Sequence, residues 1–319
     1  MKKIFVKISR KVISFFEKNN VKKLNHALKN LLENERIVLL DIGAAGDIQP
    51  RWKRISPLLN YIGFEPDERS YELLMQQPNA CSDFRIINSA VWDSASNLSI
   101  NFCRKPMVSS HFYPNYDFLK RFSESERFDI ISEISIPTKK LDDHSIEEID
   151  FIKLDIQGGE LAALKGGSKL LMDCLGAEVE ISFISQYNDQ PLFGEISTFM
   201  SQKEFEFVDF VHLNRWERKT FNDFGQLVWG DALFLKSPET MVEKYGSDVG
   251  KIKKYIAICA LYGRFDFIDI LEEKMKVGQV LSESLSRIRS SHYSRRKRSI
   301  LLNKFMRFLG SEMNSYMVH

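Results

Sequence analysis

Ile37-Val38-Leu39-Leu40-Asp41-Ile42-Gly43-Ala44-Ala45-Gly46 is the stretch on which the reading of the fold turns. Ile37–Leu40 is a short apolar run that ends at an acid and a glycine-bearing turn. Runs this short and this apolar suit strands buried on both faces, the kind from which parallel α/β sheets are built. Gly43 and Gly46 remove side chains where a turn must pass close to a ligand. On an open α/β sheet, ligands sit beyond the carboxyl ends of the strands, where this turn would lie. The competing reading is a tight strand-turn-helix junction, in which the two glycines serve packing alone.

Outward from the turn the pattern repeats. Tyr61–Phe64 is a second apolar run, ending at Glu65-Pro66, and Phe84–Ile87 is a third. Phe151–Leu154 and Ala177–Ile181 supply a fourth and a fifth, with helix-length segments such as Glu68–Gln76 and Glu160–Met172 between the runs. Strand-length runs alternating with helices predict a parallel sheet wrapped by helices. Phe205–Leu213 and Leu227–Leu235 are rich in aromatic and branched residues and predict an antiparallel pair at one sheet edge. Residues 1–35 read as a basic amphipathic helical extension, 36–236 as the sheet domain and 237–319 as a helical C-terminal region. The expected fold class is therefore α/β: a doubly wound, Rossmann-like sheet, mostly parallel with an antiparallel edge hairpin, carrying helical N- and C-terminal extensions.

Two acids sharpen the ligand. Glu65 ends the second run, where a carboxylate can accept both ribose hydroxyls of a nucleotide-like cofactor. The plainer alternative is a surface acid at a helix start, since Pro66-Asp67-Glu68 opens a helix well. A dinucleotide would want G-x-G-x-x-G around its pyrophosphate. Here the turn reads G-A-A-G followed by Asp47, which would repel a phosphate. S-adenosylmethionine carries an ammonium and a sulfonium and no phosphate, so the charge pattern prefers it. Asp155, at the end of the fourth run, faces the same crevice, and Gly158-Gly159-Glu160 leads from it into a helix. Helix capping accounts for that segment equally well and is compatible with a functional role.

Read together, these segments resemble the FkbM-type methyltransferases, from roughly Ile37 to Leu235. The resemblance rests on Leu39–Gly46, Ile62–Asp67, Asn88–Asp93 with a short hairpin after it, Val108–His111, Ile136–Asp143, Ile149–Gly167, and Ala177–Ser182 with Gln186–Phe193, in that order. It implies methyl transfer from S-adenosylmethionine, most often to a hydroxyl of a secondary metabolite, sugar or glycan. It also implies that Asp41, Gly43, Ala44 and Gly46 line the methionyl part of the cofactor and that Glu65, beside Pro66, holds the ribose. Ser89 and Ala90 would flank the adenine, and Asp155 would lie near the reactive end. Glu160 and Glu180 match acidic positions of the family and, with Ser110, are assigned to the acceptor side. One departure stands out: the family commonly has an acid where this chain has Gln157.

Methyl transfer to a hydroxyl asks the protein mainly to align the acceptor, with a general base adding about 10²–10⁴-fold. His111 is the first candidate for that base and Asp155 the second. No metal is expected: Asp142-Asp143-His144 follows a strand-like run and reads as a helix cap and solvated turn. An N- or C-methyltransferase on the same fold and a non-catalytic scaffold are the competing functions, with a dinucleotide oxidoreductase more distant.

The bulk properties fit this reading. The chain has 319 residues, 44% hydrophobic and 28% charged, with a net charge of +2, which argues against bulk nucleic-acid binding. Cys81, Cys103, Cys174 and Cys259 form no C-x-x-C pair and read as buried thiols in a reducing compartment. No run approaches the roughly 20 apolar residues of a membrane span, and the N-terminus lacks a signal-peptide core, so a cytoplasmic location is expected. Lys2, Lys3, Lys7, Arg10 and Lys11 near one end, and Arg295-Arg296-Lys297-Arg298 near the other, accompany apolar residues at helical spacing. Such basic amphipathic helices either pack on the domain with a solvated face or touch the inner face of a membrane peripherally. No aromatic-basic platform for nucleic acid accompanies them. The expected partner is a small-molecule or glycan acceptor.

Overall fold

The computed structural model describes residues 21–220, 224–275 and 285–289. In chain order its strands are β1 (Ile37–Ile42), β2 (Leu59–Phe64), β3 (Asp83–Ile87), β4 (Ala90–Val91), β5 (Asn97–Cys103), β6 (Ile130–Lys139), β7 (Phe151–Leu154), β8 (Gly176–Ser182), β9 (Phe205–Trp216) and β10 (Gln226–Lys236). The helices are α1 (21–32), α2 (Pro50–Lys53), α3 (Glu68–Gln76), α4 (Tyr116–Leu119), α5 (Glu160–Gly166), α6 (Leu170–Asp173), α7 (Phe193–Gln202), α8 (Pro238–Tyr245), α9 (Val249–Leu261) and α10 (Phe265–Met275), with one more helical turn at 285–289. They form two compact units. One holds Arg36–Gln49 and Leu59–Ser237, and the other holds the segments on either side together with Pro50–Leu58.

The larger unit is a seven-stranded sheet in the order β3-β2-β1-β7-β8-β10-β9. Strands β3, β2, β1, β7 and β8 run parallel, and β10 and β9 close the sheet antiparallel at one edge. This is the doubly wound α/β sheet with an antiparallel edge hairpin that the alternating runs predict. Strand order reverses between β1 and β7, so the crevice at their carboxyl ends is the natural ligand position. The same junction is tied at its other end, where the Asp150 carboxylate accepts from the Val38 amide at 2.8 Å. Leu40, Ile62, Phe64, Ile152, Val179 and Phe234 meet in the core. Each such side chain contributes about 1.5–3 kcal/mol on leaving water.

Helix α3 begins where the sequence places it, because the Asp67 carboxylate caps it by accepting from the Ser70 amide at 3.0 Å. The segment read as one helix over Glu160–Met172 is two. A Cβ on Gly166 would lie 2.1 Å from the Trp92 carbonyl oxygen, and one on Gly167 2.7 Å from Leu141. The chain therefore turns there, and Asp142 caps α6 by accepting from the Lys169 and Leu170 amides. The short hairpin expected after Asp93 is also different. β5 pairs antiparallel with the distant β6, and residues 104–129 make an excursion between them, doubling back through the Asn101–Ser110 bridge. Phe118, Leu119, Phe122 and Phe128 give that excursion its own small core with Tyr187 and Val228.

The second unit is helical in its described residues. α1 buries Ala27, Leu28, Leu31 and Leu32, an i, i+4 stripe. Asp248 caps α9 through the Lys251 amide, and the Arg51 guanidinium stacks 4.0 Å over the Tyr262 ring. Of the basic segments expected to meet a membrane, residues 1–30 and 286–309, most lie outside the described residues, whereas Lys22, Lys23 and Lys29 are exposed on α1. Among the described residues, no helix is long and apolar enough to cross a membrane. Cys103, Cys174 and Cys259 are buried thiols that form no disulfide, while Cys81 is only half-buried.

Candidate active site

Parallel pairing lines up Asp41 on β1, Lys153 on β7 and Glu178 on β8 as a row across the sheet. The Lys153 ammonium lies 3.3 Å from Asp41 Oδ1 and 3.7 Å from Asp155 Oδ2. Asp41 Oδ2 accepts from the Tyr61 hydroxyl at 2.9 Å, and Glu178 accepts from the Gln49 amide at 2.9 Å. Burial alone would favour a neutral Lys153, but the Asp41 and Asp155 carboxylates outweigh it and hold the ammonium charged. Burial likewise lifts Asp41 above the usual carboxylate range, although Lys153 and Tyr61 oppose it. Burial dominates at Asp41 because its side chain is only 8% exposed.

The turn after β1 is anchored and open at once. The Gly43 and Ala44 amides both donate to the Phe64 carbonyl, at 3.1 and 3.0 Å. Gly43 has φ +85°, and a Cβ there would lie 2.0 Å from the Asp155 carbonyl oxygen. That glycine lets the ends of β1 and β7 approach. Gly46, at φ +101°, has nothing within 4 Å of its Cβ position. Glu65 follows β2, is buried, and accepts from the Asp67 amide at 2.8 Å, while burial raises its pKa. Asn88 donates to the Glu65 carbonyl, Pro66 is exposed, Ser89 is half-buried and Ala90 is buried in β4.

The turn after β7 is closed. The Glu160 carboxylate accepts from the Ile156 amide at 2.8 Å and from the Gly158 amide, stapling the turn onto α5. Burial pushes Glu160 up to about 7 against those backbone donors. Gln157, at φ +57°, donates from Nε2 to Asp155 Oδ1 at 3.2 Å and to Glu180 Oε2 at 2.9 Å. The Tyr187 hydroxyl shares its hydrogen between the Val108 carbonyl at 2.9 Å and Gln157 Oε1 at 3.2 Å, and Ser110 Oγ donates to the Gln157 carbonyl at 2.6 Å. Phe112 and Trp92 lie against Gly158 and Gly159.

The structure thus brings Asp41, Gly43 and Asp155 together on one side, and Asp155, Glu160, Glu180 and Ser110 on the other, with Gln157 as the link. His111 sits beside this group. Its Nδ1 is 2.9 Å from the Ser99 carbonyl, and its ring packs edge-on against Trp92 at 5.3 Å. Asp142 is a helix cap and His144 packs against Phe64. Among the described residues no cluster of metal-ligating side chains forms. Tyr61, Lys153, Asn88 and Tyr187 are site residues that the sequence reading does not include. The period of two that puts Lys153 on the face of Asp155 was the available signal for one of them.

Residues 49–207 match the model of the methyltransferase FkbM domain. The chain belongs to the FkbM methyltransferases. The family match begins after the Asp41–Gly46 turn, so that turn stands on its own geometry. The 2-O-methyltransferase NoeI of Sinorhizobium fredii is 26% identical over 183 residues, covering 54% of this chain and 71% of that protein. Methyltransferase FkbM from Methylobacillus flagellatus shares 14% identity at a TM-score of 0.38, over 63% of this chain and less than half, 43%, of that one. The magnesium protoporphyrin IX methyltransferase ChlM of Synechocystis, solved with bound S-adenosylmethionine, shares 9% identity at a TM-score of 0.31, over 68% and 79% of the two chains. Likeness this low leaves the fold to the sheet topology above.

FkbM enzymes use S-adenosylmethionine, and the residues present fit it. Open space surrounds Gly46 at the strand-order reversal, and Glu65 stands at the end of β2. Asp41 and Glu178 flank Lys153 on its row and Asp155 stands just beyond it, so acids outnumber the one ammonium, a balance suited to a cationic ligand without phosphate.

Proposed function

We propose that this FkbM domain O-methylates a hydroxyl of a glycan or secondary-metabolite acceptor. The observation that carries the reading is Asp155, which stands at the strand-order reversal with its side chain 42% exposed while Asp41 beneath it is closed off. The 2-O-methyltransferase activity in the name of NoeI supports a hydroxyl acceptor. S-adenosylmethionine, when bound, would supply a methyl group carried on a sulfonium, whose sulfur would leave with the bonding electrons. Asp155 would accept the proton that the acceptor hydroxyl gives up. The Lys153 ammonium stands 3.7 Å from Asp155, and the Gly43 contact fixes the distance between the two strand ends. Glu65 orients the ribose, and Ser110, Glu160 and Glu180 shape the acceptor side.

His111 is the second base. With Nδ1–H given to the Ser99 carbonyl, Nε2 remains an acceptor. Calorimetric titration of the full chain with S-adenosylhomocysteine tests the cofactor site. Glu65→Ala should weaken binding about 10–100-fold, the worth of charged hydrogen bonds, and equal affinity in wild type and variant would remove the ribose role. With a hydroxylated acceptor in hand, Asp155→Asn should abolish the acid limb of the pH–rate profile and His111→Gln should leave it in place. The reverse pattern transfers the role to His111.

A further inference from the structure

Glu180 is surrounded by its own kind. From β8 it faces Asp155 beyond β7, Glu160 at the start of α5, Asp231 opposite it on β10, and the Tyr187 phenol from the loop after β8. Lys153, the cation of this face, pairs with Asp41 and Asp155. Among the described residues no ammonium or guanidinium pairs with Glu180. Removal from water, and then the charges of Asp155, Glu160 and Asp231, push its carboxyl well above the usual range.

Gln157 joins this carboxyl to Asp155. A carboxylate at 157 has no N–H to give, whereas the amide gives one hydrogen to each acid and still accepts from Tyr187 through its oxygen. Its backbone is held equally firmly. A non-glycine residue in the left-handed region costs about 1–3 kcal/mol and persists only where its surroundings impose it. Here Ser110 grips the Gln157 carbonyl and Glu160 staples the amides on either side, those of Ile156 and Gly158. Gln157 is therefore held through its backbone as well as through its side-chain amide.

We propose that Gln157 is a positioning residue that clamps Asp155 and Glu180 into one proton-sharing carboxyl pair, Glu180 holding the proton and Asp155 the charge that faces the acceptor. The proposal deepens the reading of Asp155 as base and rests on it for its catalytic meaning. Two carboxyls coupled in this way titrate as a unit. Removing the Asp155 charge makes it easier for Glu180 to ionise, so its midpoint falls. Adding a carboxylate at 157 makes ionisation harder, so the midpoint rises.

Infrared titration of the full-length chain, with no ligand added, reads protonated carboxyls directly. Glu180→Gln should delete one protonated-carboxyl band present near neutral pH and leave the separate band of Glu160. In Asp155→Asn the Glu180 band should titrate out at least about one pH unit lower than in wild type, and in Gln157→Glu it should titrate out higher. A band set unchanged by Glu180→Gln, or the same midpoint in wild type and Asp155→Asn, overturns the pair. If Glu180→Gln does not fold, the Asp155→Asn shift decides alone, because it is read on the native Glu180. Calorimetry with S-adenosylhomocysteine on the same samples separates the two readings. Wild type that fails to bind removes the methyl-transfer reading, while the infrared midpoints still decide the pair.

Discussion

The two turns at the centre of the sheet look alike in sequence and differ in every physical respect. At the end of β1 the chain passes Asp41 and then two glycines, and after β7 it passes Asp155, Gln157 and two glycines. In the first, the backbone is tied down at Gly43 and Ala44 and then released around Gly46 into open space. In the second, Phe112 and Trp92 fill the space over the glycines and Glu160 holds the amides. An open turn lets a ligand approach the main chain, and a packed one holds reacting groups still. The proposed roles, cofactor at the first turn and acceptor chemistry at the second, rest on that contrast.

The sharpest way to break this contrast is Gly43→Ala. Its Cβ would overlap the Asp155 carbonyl at a φ that disfavours any side chain, which strikes the junction of both turns. A loss of about 4 kcal/mol or more is expected in urea unfolding, a size confined to a few mechanisms such as this one. A loss under about 1 kcal/mol would mean that the two strand ends are not in contact in solution.

Glu160→Gln tests the closed turn alone. The folded carboxyl binds its proton more tightly than the unfolded one, whose pKa is about 4.3. Its contribution is therefore complete below that value and is lost as pH rises through the folded value of about 7. Wild-type Tm should fall across that window, with Glu160's share on the order of 3–4 kcal/mol, and the variant should flatten the curve. Parallel curves would place the titration elsewhere. Gly46→Ala should have the smallest effect on folding, about 1 kcal/mol from the backbone conformation, because nothing blocks the methyl group. Its effect should appear instead as weaker S-adenosylhomocysteine binding, and unchanged binding would move the cofactor away from this turn.

How much was legible before folding follows from range. α3 was readable because its cap, Asp67, lies three residues from the amide it serves. The parallel strands were readable because burial on both faces leaves an apolar run that no neighbour needs to explain. The acids Asp41, Asp155, Glu160 and Glu180 were readable as residue types in a family order. Their partners were not. Tyr61 reaches Asp41 through strand pairing, and Tyr187 reaches Gln157 and Gln49 reaches Glu178 through loops that only the folded sheet brings together, none of which a local pattern encodes. The break between α5 and α6 was hidden for the same reason, since what excludes a side chain at Gly166 is the carbonyl of Trp92. Gln157 was visible only as a departure, and its meaning came from three contacts made outside its own turn.

The pairing of β1 with β7 has a consequence in time as well as in space. The Val38–Asp150 bond closes a loop of chain with a sequence separation of 112 positions, and the whole centre of the sheet shares that separation. Contacts so far apart in sequence form slowly, because the entropy of closing the loop is lost before any contact rewards it. Asp41 and Asp155 are strangers until that closure. A newly made chain can therefore acquire most of its helices, and even the β1–β2 pair, while Asp41 and Asp155 are still apart, and the site waits on the closure of that central seam.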